Sequence, residues 1–397
     1  DWRVAKKIYA EDRLSRRRAW VAVSVLVNLG LLGYFKYGEF LLENWQVLMS
    51  SMGVAWTPPD WDIVLPVGIS FYTFQTMAYS LDVYLRRAKP ADSLLDFALF
   101  VTFFPQLVAG PIVRPTQLIP QFQKPVRASA NQLLWGLGLM TLGLFEKIVI
   151  ADGALAPAAD AVFGAGKPVP FSDAWLGTLA FAGQIFSDVA GYSTVAIGVA
   201  LCLGVSLPDH FRVPYAAMGF SDFWRRWHIS LSTWLRDYLY FPLGGNRKGW
   251  HRRQVNLMVT MLLGGLWQGA AWTFVIWGGL HGFYLGVERF FQRRFGGAKI
   301  ATTFGFKVFL ALLTYFLVNL TWVFFRAPDF PTAWRMTRTM LGFGLEGGVP
   351  VLSTYLVVVV VSVTVGILLV HGFMRNRRLE QVVASAQWWL VGSVWAA

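Results

Sequence analysis

The amino-acid sequence predicts an all-α protein that crosses a membrane several times. Of the 397 residues, 55% are hydrophobic and only 14% are charged, whereas soluble domains carry roughly 25% charged residues. The mean hydropathy is +0.48, and short basic clusters separate apolar runs. Since a membrane helix needs about 20 apolar residues, we predict about nine to eleven helical membrane segments in one domain over residues 1–397.

The charge pattern indicates a multi-pass membrane protein without a nucleic-acid partner. The formal net charge is +13, but the basic residues lie in clusters between apolar runs, which is the positive-inside pattern. We expect residues 1–18, 86–89 and 375–378 to be cytoplasmic. The single cysteine excludes an internal disulfide framework. The sequence contains no metal-ligand spacing and no Gly-rich phosphate loop, so we expect no metal and no bound cofactor.

The first membrane elements follow from uncharged runs. Residues 19–35 are long enough to enter the bilayer, and residues 63–81 carry no charge and are predicted to span it. Residues 97–113 are apolar but contain prolines and a glycine and lead into another basic loop, which favours a broken or re-entrant helix. The chain begins at Asp1 without Met, so we expect spans to be missing before it.

The remaining elements are read from further apolar runs. We predict helices over residues 128–145, 174–187 and 189–208, with Asp188 between the last two. Residues 254–287 suit two short helices or one long helix, and the last clear spans are residues 308–325 and 349–370. The final apolar stretch looks cut short.

Residues 221–246 (SDFWRRWHISLSTWLRDYLYFPLGGN) concentrate charge in this apolar chain. Its Asp, Arg and His residues are Asp222, Arg225, Arg226, His228, Arg236 and Asp237. If the segment is one helix, Trp227, Leu231, Trp234 and Tyr238 form an apolar stripe. Arg225, His228, Ser232 and Arg236 then lie on an adjacent face. Charges at membrane depth favour a functional site; the alternative is an interfacial helix whose arginines reach the headgroups.

Several stretches resemble the membrane-bound O-acyltransferase (MBOAT) family, and most closely its bacterial alginate O-acetyltransferase branch. They are LPVGISFYTFQTMAYSLDVY (65–84), LLDFALFVTFFPQLVAGPIVRP (94–115), GYSTVAIGVALCLGVSLPDHFRVPY (191–215), the segment 221–246, and LLGGLWQGAAWTFVIWGGLHG (262–282). The resemblance covers nearly the whole chain. It implies a ring of transmembrane and re-entrant helices around a central tunnel.

The resemblance also implies a reaction and its participants. An acyl thioester, with acetyl-CoA as the expected donor, reaches the tunnel from the cytoplasm, and a hydroxyl acceptor reaches it from the far side. The expected setting is the bacterial inner membrane. The expected partners are a periplasmic acetyl-transfer protein and an exported polysaccharide such as alginate.

Two positions carry the catalytic prediction. The resemblance places the first family histidine at His228 and the second, catalytic one in a Trp-His-Gly triplet, which here reads Trp267-Gln268-Gly269. An amide has no proton affinity near neutral pH, so Gln268 cannot act as a general base. It retains a donor and an acceptor, so fold and ligand binding are expected to persist.

Five residues are assigned to substrate binding: Arg225, Arg226, Ser232, Trp267 and Trp272. The arginines suit the phosphates of a CoA-like donor, but an i,i+4 pair between Asp222 and Arg226 explains Arg226 equally well. For His281, thirteen residues beyond Gln268, we expect a structural role, because one continuous helix would place it on nearly the opposite face. That argument fails if Gly269 breaks the helix.

Three functional interpretations stay open at this point. An acyltransferase is favoured by the resemblance, whereas broken helices and midplane charges are also typical of transporters. The substitution at Gln268 raises a third interpretation, a catalytically inactive or engineered variant.

Overall fold

The predicted all-α fold class is confirmed. The computed structural model describes residues 1–59, 63–107, 110–124, 126–296, 303–343 and 348–385, and these ranges contain helices and no strand. The final apolar stretch beyond residue 385, predicted to be cut short, lies outside the described residues.

The helices are numbered in chain order. The N-terminal half contains α1 (Trp2–Ala10), α2 (Leu14–Ser51), α3 (Ile69–Tyr84), α4 (Leu94–Thr102), α5 (Phe104–Leu107), α6 (Pro115–Phe122), α7 (Ala130–Leu144), α8 (Ala156–Phe163) and α9 (Phe171–Cys202). The C-terminal half contains α10 (Phe220–Phe223), α11 (Ile229–Leu235), α12 (Gly249–Gln268), α13 (Trp272–Phe295), α14 (Phe304–Arg326), α15 (Phe330–Met340), α16 (Thr354–Met374) and α17 (Leu379–Ser385). π-Helical turns follow α7 (Phe145–Leu155) and α11 (Arg236–Tyr240).

Five helical units of the described chain are long and apolar enough to cross a membrane. They are Leu14–Ser51, Ala130–Phe163, Phe171–Cys202, Phe304–Arg326 and Thr354–Met374. The protein is therefore a multi-pass membrane protein. The larger total of nine to eleven segments stays a prediction for the shorter helices.

Close helix packing around α9 and along α12 depends on glycine. A Cβ on Gly198 would collide with the backbone of Gly136, and a Cβ on Gly278 would collide with that of Met261. Small residues let membrane helices approach closely enough for extensive van der Waals contact. Gly198 thereby brings α9 against α7, and Gly278 brings α13 against α12.

Several predicted boundaries need correction. Residues 171–202 form one helix with Asp188 inside it, because Lys147 of the neighbouring π-helical turn pairs with Asp188 at 2.7 Å. The spanning helix predicted over residues 63–81 begins only at Ile69 and has sixteen residues. The break predicted within residues 97–113 is confirmed, since α4 ends at Thr102 and α5 begins at Phe104.

The reading of residues 221–246 as one helix is wrong. The chain leaves helix α10 after Phe223, and His228 adopts a left-handed conformation with φ of 44° before α11 begins at Ile229. The predicted aromatic stripe is therefore divided: Trp227 packs in the main core, whereas Trp234 packs with a separate cluster around Phe74. The second predicted face, through Arg225, His228, Ser232 and Arg236, is likewise not a single helical face.

Helices α12 and α13 are likewise separate. Gly269 is extended, with φ of −157° and ψ of 151°, and α13 starts three residues later at Trp272. Gly265 lies against Gly278 across the pair, so the chain reverses between the two helices. The single-helix argument that put His281 opposite Gln268 is therefore wrong.

Candidate functional site

His228 occupies the break between α10 and α11 and is 5% exposed. Two backbone hydrogen bonds hold this break against the preceding loop. The amide of Ile229 donates to the carbonyl of His210 at 2.8 Å, and the amide of Arg212 donates to that of Arg226 at 2.8 Å. The unusual backbone conformation of His228 is thus fixed by pairing on both sides.

A second histidine, His210, lies directly against His228. The ring centroids are 4.3 Å apart with an interplanar angle of 61°. The Ser230 hydroxyl bonds Nδ1 of His210 at 2.9 Å, and it accepts a hydrogen bond from the Ile112 amide at 2.9 Å. Sequence reasoning missed His210, although it lies within the matching stretch over residues 191–215.

Three buried ring nitrogens at this place have no hydrogen-bond partner among the described residues. They are Nε2 of His210, Nδ1 of His228 and Nε1 of Trp267. A buried polar atom without a partner costs about 1–3 kcal/mol, so such atoms mark where a ligand or water binds. Burial lowers the pKa of His228, so its imidazole is neutral at pH 7.

Trp267 connects His228 with Gln268. Its ring is 5.7 Å from the His228 ring in an edge arrangement and packs against Phe74 at 5.2 Å. Gln268 is the last residue of α12 and is partly buried, and its side chain makes no hydrogen bond to a described residue. The structure thus brings the neighbourhoods of the two predicted catalytic positions together.

The end of α12 is held by two polar side chains of α2 that sequence reasoning missed. Lys36 donates to the carbonyl of Trp267 and to the hydroxyl of Ser70, and the Tyr37 hydroxyl donates to the carbonyl of Leu266 at 2.8 Å. The last carbonyls of a helix have no partner within the helix, and a cation is favourable there. Lys36 therefore fixes the backbone next to Gln268.

A pocket of about 390 Å³ lies beside the two histidines. Asp209, which precedes His210, and Ile229 and Ser230, which follow His228, form part of its wall. Its charged residues are Asp82, Arg87, Arg114, Asp209, Arg236 and Asp237. Since Arg87 belongs to the cluster predicted to be cytoplasmic, the pocket opens toward the predicted cytoplasmic side.

Ion pairs hold part of this charged lining in place. Arg114 bonds the Asp237 carboxylate at 2.7 Å, and Arg236 bonds its other oxygen at 2.7 Å. Burial acts to raise the pKa of Asp237, but the hydrogen bonds and charges of Arg236 and Arg114 hold it below its usual value. Arg87 lies 3.8 Å from Asp82 and Arg236 bonds Asp237, yet their side chains remain 48% and 54% exposed, so the outer N–H groups of both can contact an anion.

The two arginines assigned to donor binding lie elsewhere. Arg225 is exposed, and Arg226 bonds Asp222 at 2.9 Å, which confirms the i,i+4 pair. Arg375, at the end of α16, bonds the other oxygen of Asp222 at 2.9 Å. Neither Arg225 nor Arg226 lines the pocket of about 390 Å³, and their role in phosphate binding stays a prediction.

Ser232 and Trp272 are two further residues that the sequence analysis assigned to substrate binding. Ser232 lies in the first turn of α11, where its amide donates to the His228 carbonyl at 2.9 Å. Trp272 begins α13, is 59% exposed, and donates its indole N–H to Asn44 of α2 at 2.7 Å. Their substrate contacts, like the catalytic roles of His228 and Gln268, stay predictions.

His281 is fully buried in an aromatic cage. Its Nε2 bonds the Thr321 hydroxyl at 3.0 Å, and the rings of Trp224 and Trp277 lie 5.4 and 4.7 Å away. The structural role assigned to it stays a prediction. No group of three or more His, Cys, Asp or Glu side chains suited to a metal ion occurs in the described part of the chain.

Comparison with known proteins identifies the family. The model of the MBOAT family, membrane-bound O-acyltransferases, matches residues 87–325, a range that contains both histidines of the site and Gln268. The chain belongs to the MBOAT family.

Three named relatives each match more than half of this chain. It is 42% identical over 332 residues to the "probable alginate O-acetylase AlgI" of Azotobacter vinelandii, which covers 84% of this chain and 64% of that protein. It is 38% identical over 365 residues to the peptidoglycan O-acetyltransferase of Helicobacter pylori, with 85% and 68% covered. It is 29% identical over 251 residues to the teichoic acid D-alanyltransferase of Bacillus subtilis, with 59% and 62% covered. The matches thus cover between 62% and 68% of the length of these relatives, and less than two thirds of the alginate O-acetylase and of the D-alanyltransferase.

Proposed function

We propose that this protein is a membrane-bound O-acyltransferase that moves an acetyl group from a cytoplasmic thioester to an exported polysaccharide such as alginate. The family match and the names of the relatives, which concern alginate, peptidoglycan and teichoic acid, support an acyl transfer to a polymer. The proposed donor is acetyl-CoA, and the proposed location is the bacterial inner membrane.

The observation that carries the proposal is the position of His228 between the charged pocket and Gln268. On one side, residues adjoining His228 and His210 form the pocket wall. On the other side, Trp267 contacts His228 and leads to Gln268 at the end of α12. In the proposed reaction the donor occupies the pocket and the acceptor approaches from the α12–α13 turn.

Two exposed arginines of the pocket, whose lining holds three carboxylates and three guanidinium groups, suit the proposed donor. Arg87 and Arg236 are partly exposed at its wall, and guanidinium groups bind phosphate with paired, charge-assisted hydrogen bonds. In this arrangement they hold the phosphates of acetyl-CoA while its thioester extends toward Ser230. This assignment replaces Arg225 and Arg226 as the main phosphate contacts.

The proposed chemistry is attack of an acceptor hydroxyl oxygen on the thioester carbonyl carbon. A hydroxyl is a poor nucleophile at neutral pH, so a neutral imidazole must take its proton as the C–O bond forms. The tetrahedral intermediate then expels the thiolate, which takes the proton from the imidazole. Gln268 cannot perform this step. In this chain the neutral, buried His228 beside Trp267 is the group that remains, and we expect it to take the proton less effectively than an imidazole at position 268 would. Burial also excludes the water that would hydrolyse the thioester.

In the proposal, the acceptor reaches the site from the side of the membrane opposite the cytoplasm. A periplasmic partner protein that receives the acetyl group and passes it to the polysaccharide is part of the proposal. The Trp272 side of the α12–α13 turn is exposed and is the surface from which such a partner would approach.

Transfer of labelled acetyl groups tests the proposal in membranes that contain the acceptor pathway. His228→Ala should lower the transfer of the chain as it stands by about 10²–10⁴, the usual effect of removing a group that transfers a proton, and it should also lower transfer by the Gln268→His protein. Exposed His251 supplies the control, because His251→Ala should leave transfer unchanged. Full transfer by folded His228→Ala protein would remove His228 from the mechanism.

A further inference from the structure

A second cavity, unrelated to the site around His228, opens between α12 and α13. It is a groove of about 440 Å³, and it shares no lining residue with the charged pocket. Gly282 and Gly286 lie one helical turn apart on α13, and the groove is open there because they have no side chains. Phe283 and Phe290 form part of its wall. Gln254 is the polar exception in the lining, and its Oε1 is buried without a hydrogen-bond partner in the described chain.

The groove continues into an aromatic surface that faces outward. Phe283, Phe290 and Phe291 are 56%, 54% and 53% exposed. In a membrane protein, such a surface lies against lipid tails. The groove is therefore open to the hydrocarbon of the bilayer along its side.

One end of the groove is strongly basic. The guanidinium groups of Arg253 and Arg293 lie 6.0 and 5.3 Å from the ring of Trp250, which lines that end. No carboxylate of a described residue lies within ion-pair distance of either arginine, and Nε of Arg253 is buried without a partner there. Glu288, an acid on the same helix as Arg293, already accepts hydrogen bonds from the Ser221 amide and from Gln292.

Contacts of Glu288 place the basic end at the predicted cytoplasmic surface. The amide of Ser221 donates to Glu288 at 2.8 Å, and the adjacent Asp222 bonds Arg375 at 2.9 Å. Arg375 belongs to the basic cluster predicted to be cytoplasmic. The basic end therefore lies at the level of the cytoplasmic headgroups, with the apolar part of the groove pointing into the bilayer.

We propose that the groove binds an anionic phospholipid of the cytoplasmic leaflet. One acyl chain lies against Gly282, Gly286 and the phenylalanines, and the phosphate lies between Arg253 and Arg293. Trp250 sits at the boundary between the two, where an amphipathic ring is favourable. Basic pockets between membrane helices bind anionic headgroups in this way, and the charge of the site selects against zwitterionic lipid.

Lipid retention by purified protein measures this site directly. Native mass spectrometry of the protein in mild detergent, with phosphatidylglycerol or phosphatidylethanolamine added, should show preferential retention of phosphatidylglycerol. Arg253→Ala and Arg293→Ala should each weaken retention about fivefold and together roughly 25-fold, since each arginine near the surface contributes about a factor of five. Arg335→Ala is the control, because Arg335 is exposed on α15.

A second variant tests the groove without changing its charge. A Cβ at Gly286 would make only an ordinary contact, 3.5 Å from Gln254, and leucine favours a helix more than glycine does. Gly286→Leu should therefore fold, fill the groove and displace the lipid. Unchanged retention in both the arginine variants and Gly286→Leu would overturn the proposal, as would equal retention of the two lipids.

Two further measurements distinguish other occupants. Inorganic phosphate at millimolar concentration should not displace the phospholipid, because it cannot use the groove; displacement would overturn the lipid assignment. A photo-reactive amino acid at Phe283 should crosslink to lipid in membranes. Crosslinking to a second copy of the chain, or to another protein, would show that a protein covers the groove instead.

Discussion

At the scale of single residues, the site depends on side chains that bind backbone groups of distant segments. Lys36 is the clearest case, since its ammonium group bonds the Trp267 carbonyl directly before Gln268. Its sequence context, an apolar helix more than 200 positions away, contains no signal of this contact. His210 was missed for a related reason: only the left-handed turn at His228 brings the two rings together.

Removing the Lys36 donor should destabilise the protein. Lys36→Met leaves a buried carbonyl without its partner, and we expect the free energy of unfolding to fall by about 1–3 kcal/mol. Thermal unfolding in detergent measures the change, with Lys307→Met on an exposed position as the control. Lys36→Arg, which retains a cationic donor, should recover part of the loss; an unfolding temperature unaffected by Lys36→Met would show that the bond contributes nothing.

At the scale of helices, the apolar runs predicted most of the elements, and their interruptions were harder to read. Asp188 looks like a helix boundary in the sequence, but its pair with Lys147 lets α9 continue through it. Conversely, residues 221–246 have helical periodicity throughout, yet the backbone pairing with residues 210–212 breaks the helix at His228. Such contacts between distant segments override local pattern, so they could not be derived from the sequence.

The Asp222 carboxylate links α10 to Arg375 at the end of α16, and the packing of these two helices should therefore depend on pH. Burial acts to raise its pKa, but the Met218 amide, Arg226 and Arg375 hold that pKa below its usual value. A carboxyl with a lowered pKa stabilises the fold above its usual pKa of about 3.9 and loses that effect as the pH falls.

Asp222→Asn should therefore lower the unfolding temperature at pH 7. The difference from the unmodified protein should shrink below about pH 4, where the carboxylate is increasingly protonated. Melting curves between these pH values measure it, with Asp92→Asn at an exposed position as the control. A difference that stays constant down to low pH would contradict the ionic role of Asp222.

At the scale of the whole molecule, the contacts agree with one cytoplasmic face. The Arg86 guanidinium donates to the Tyr9 carbonyl at 2.7 Å, and Arg17 donates to the Tyr84 carbonyl at 2.5 Å. Two basic clusters predicted to be cytoplasmic therefore lie at the same end of α1 and α3. The charged pocket beside His228 includes Arg87 and belongs to this end.

Thiol labelling in intact cells tests the orientation. In a Cys202→Ser background, Lys7→Cys, Lys89→Cys and Arg377→Cys should be protected from an impermeant thiol reagent, because clustered basic residues resist translocation. Pro59→Cys is the positive control, because residue 59 lies between the predicted membrane segments 19–35 and 63–81 and is therefore expected on the far side. Labelling of the three basic positions from outside would contradict the orientation and the proposed direction of transfer.

The proposed acyl transfer rests most directly on position 268. Gln268 has no proton affinity near neutral pH, so the chain should bind its thioester donor but transfer little. The decisive measurement compares labelled acetyl transfer by this chain and by Gln268→His, at matched expression in membranes that contain the acceptor pathway. We predict that Gln268→His raises transfer by about 10²–10⁴ with little change in donor affinity. Equal turnover by the two would show that an imidazole at position 268 contributes nothing and that His228 or His281 alone is a sufficient base, and no transfer by either folded protein would favour a transporter.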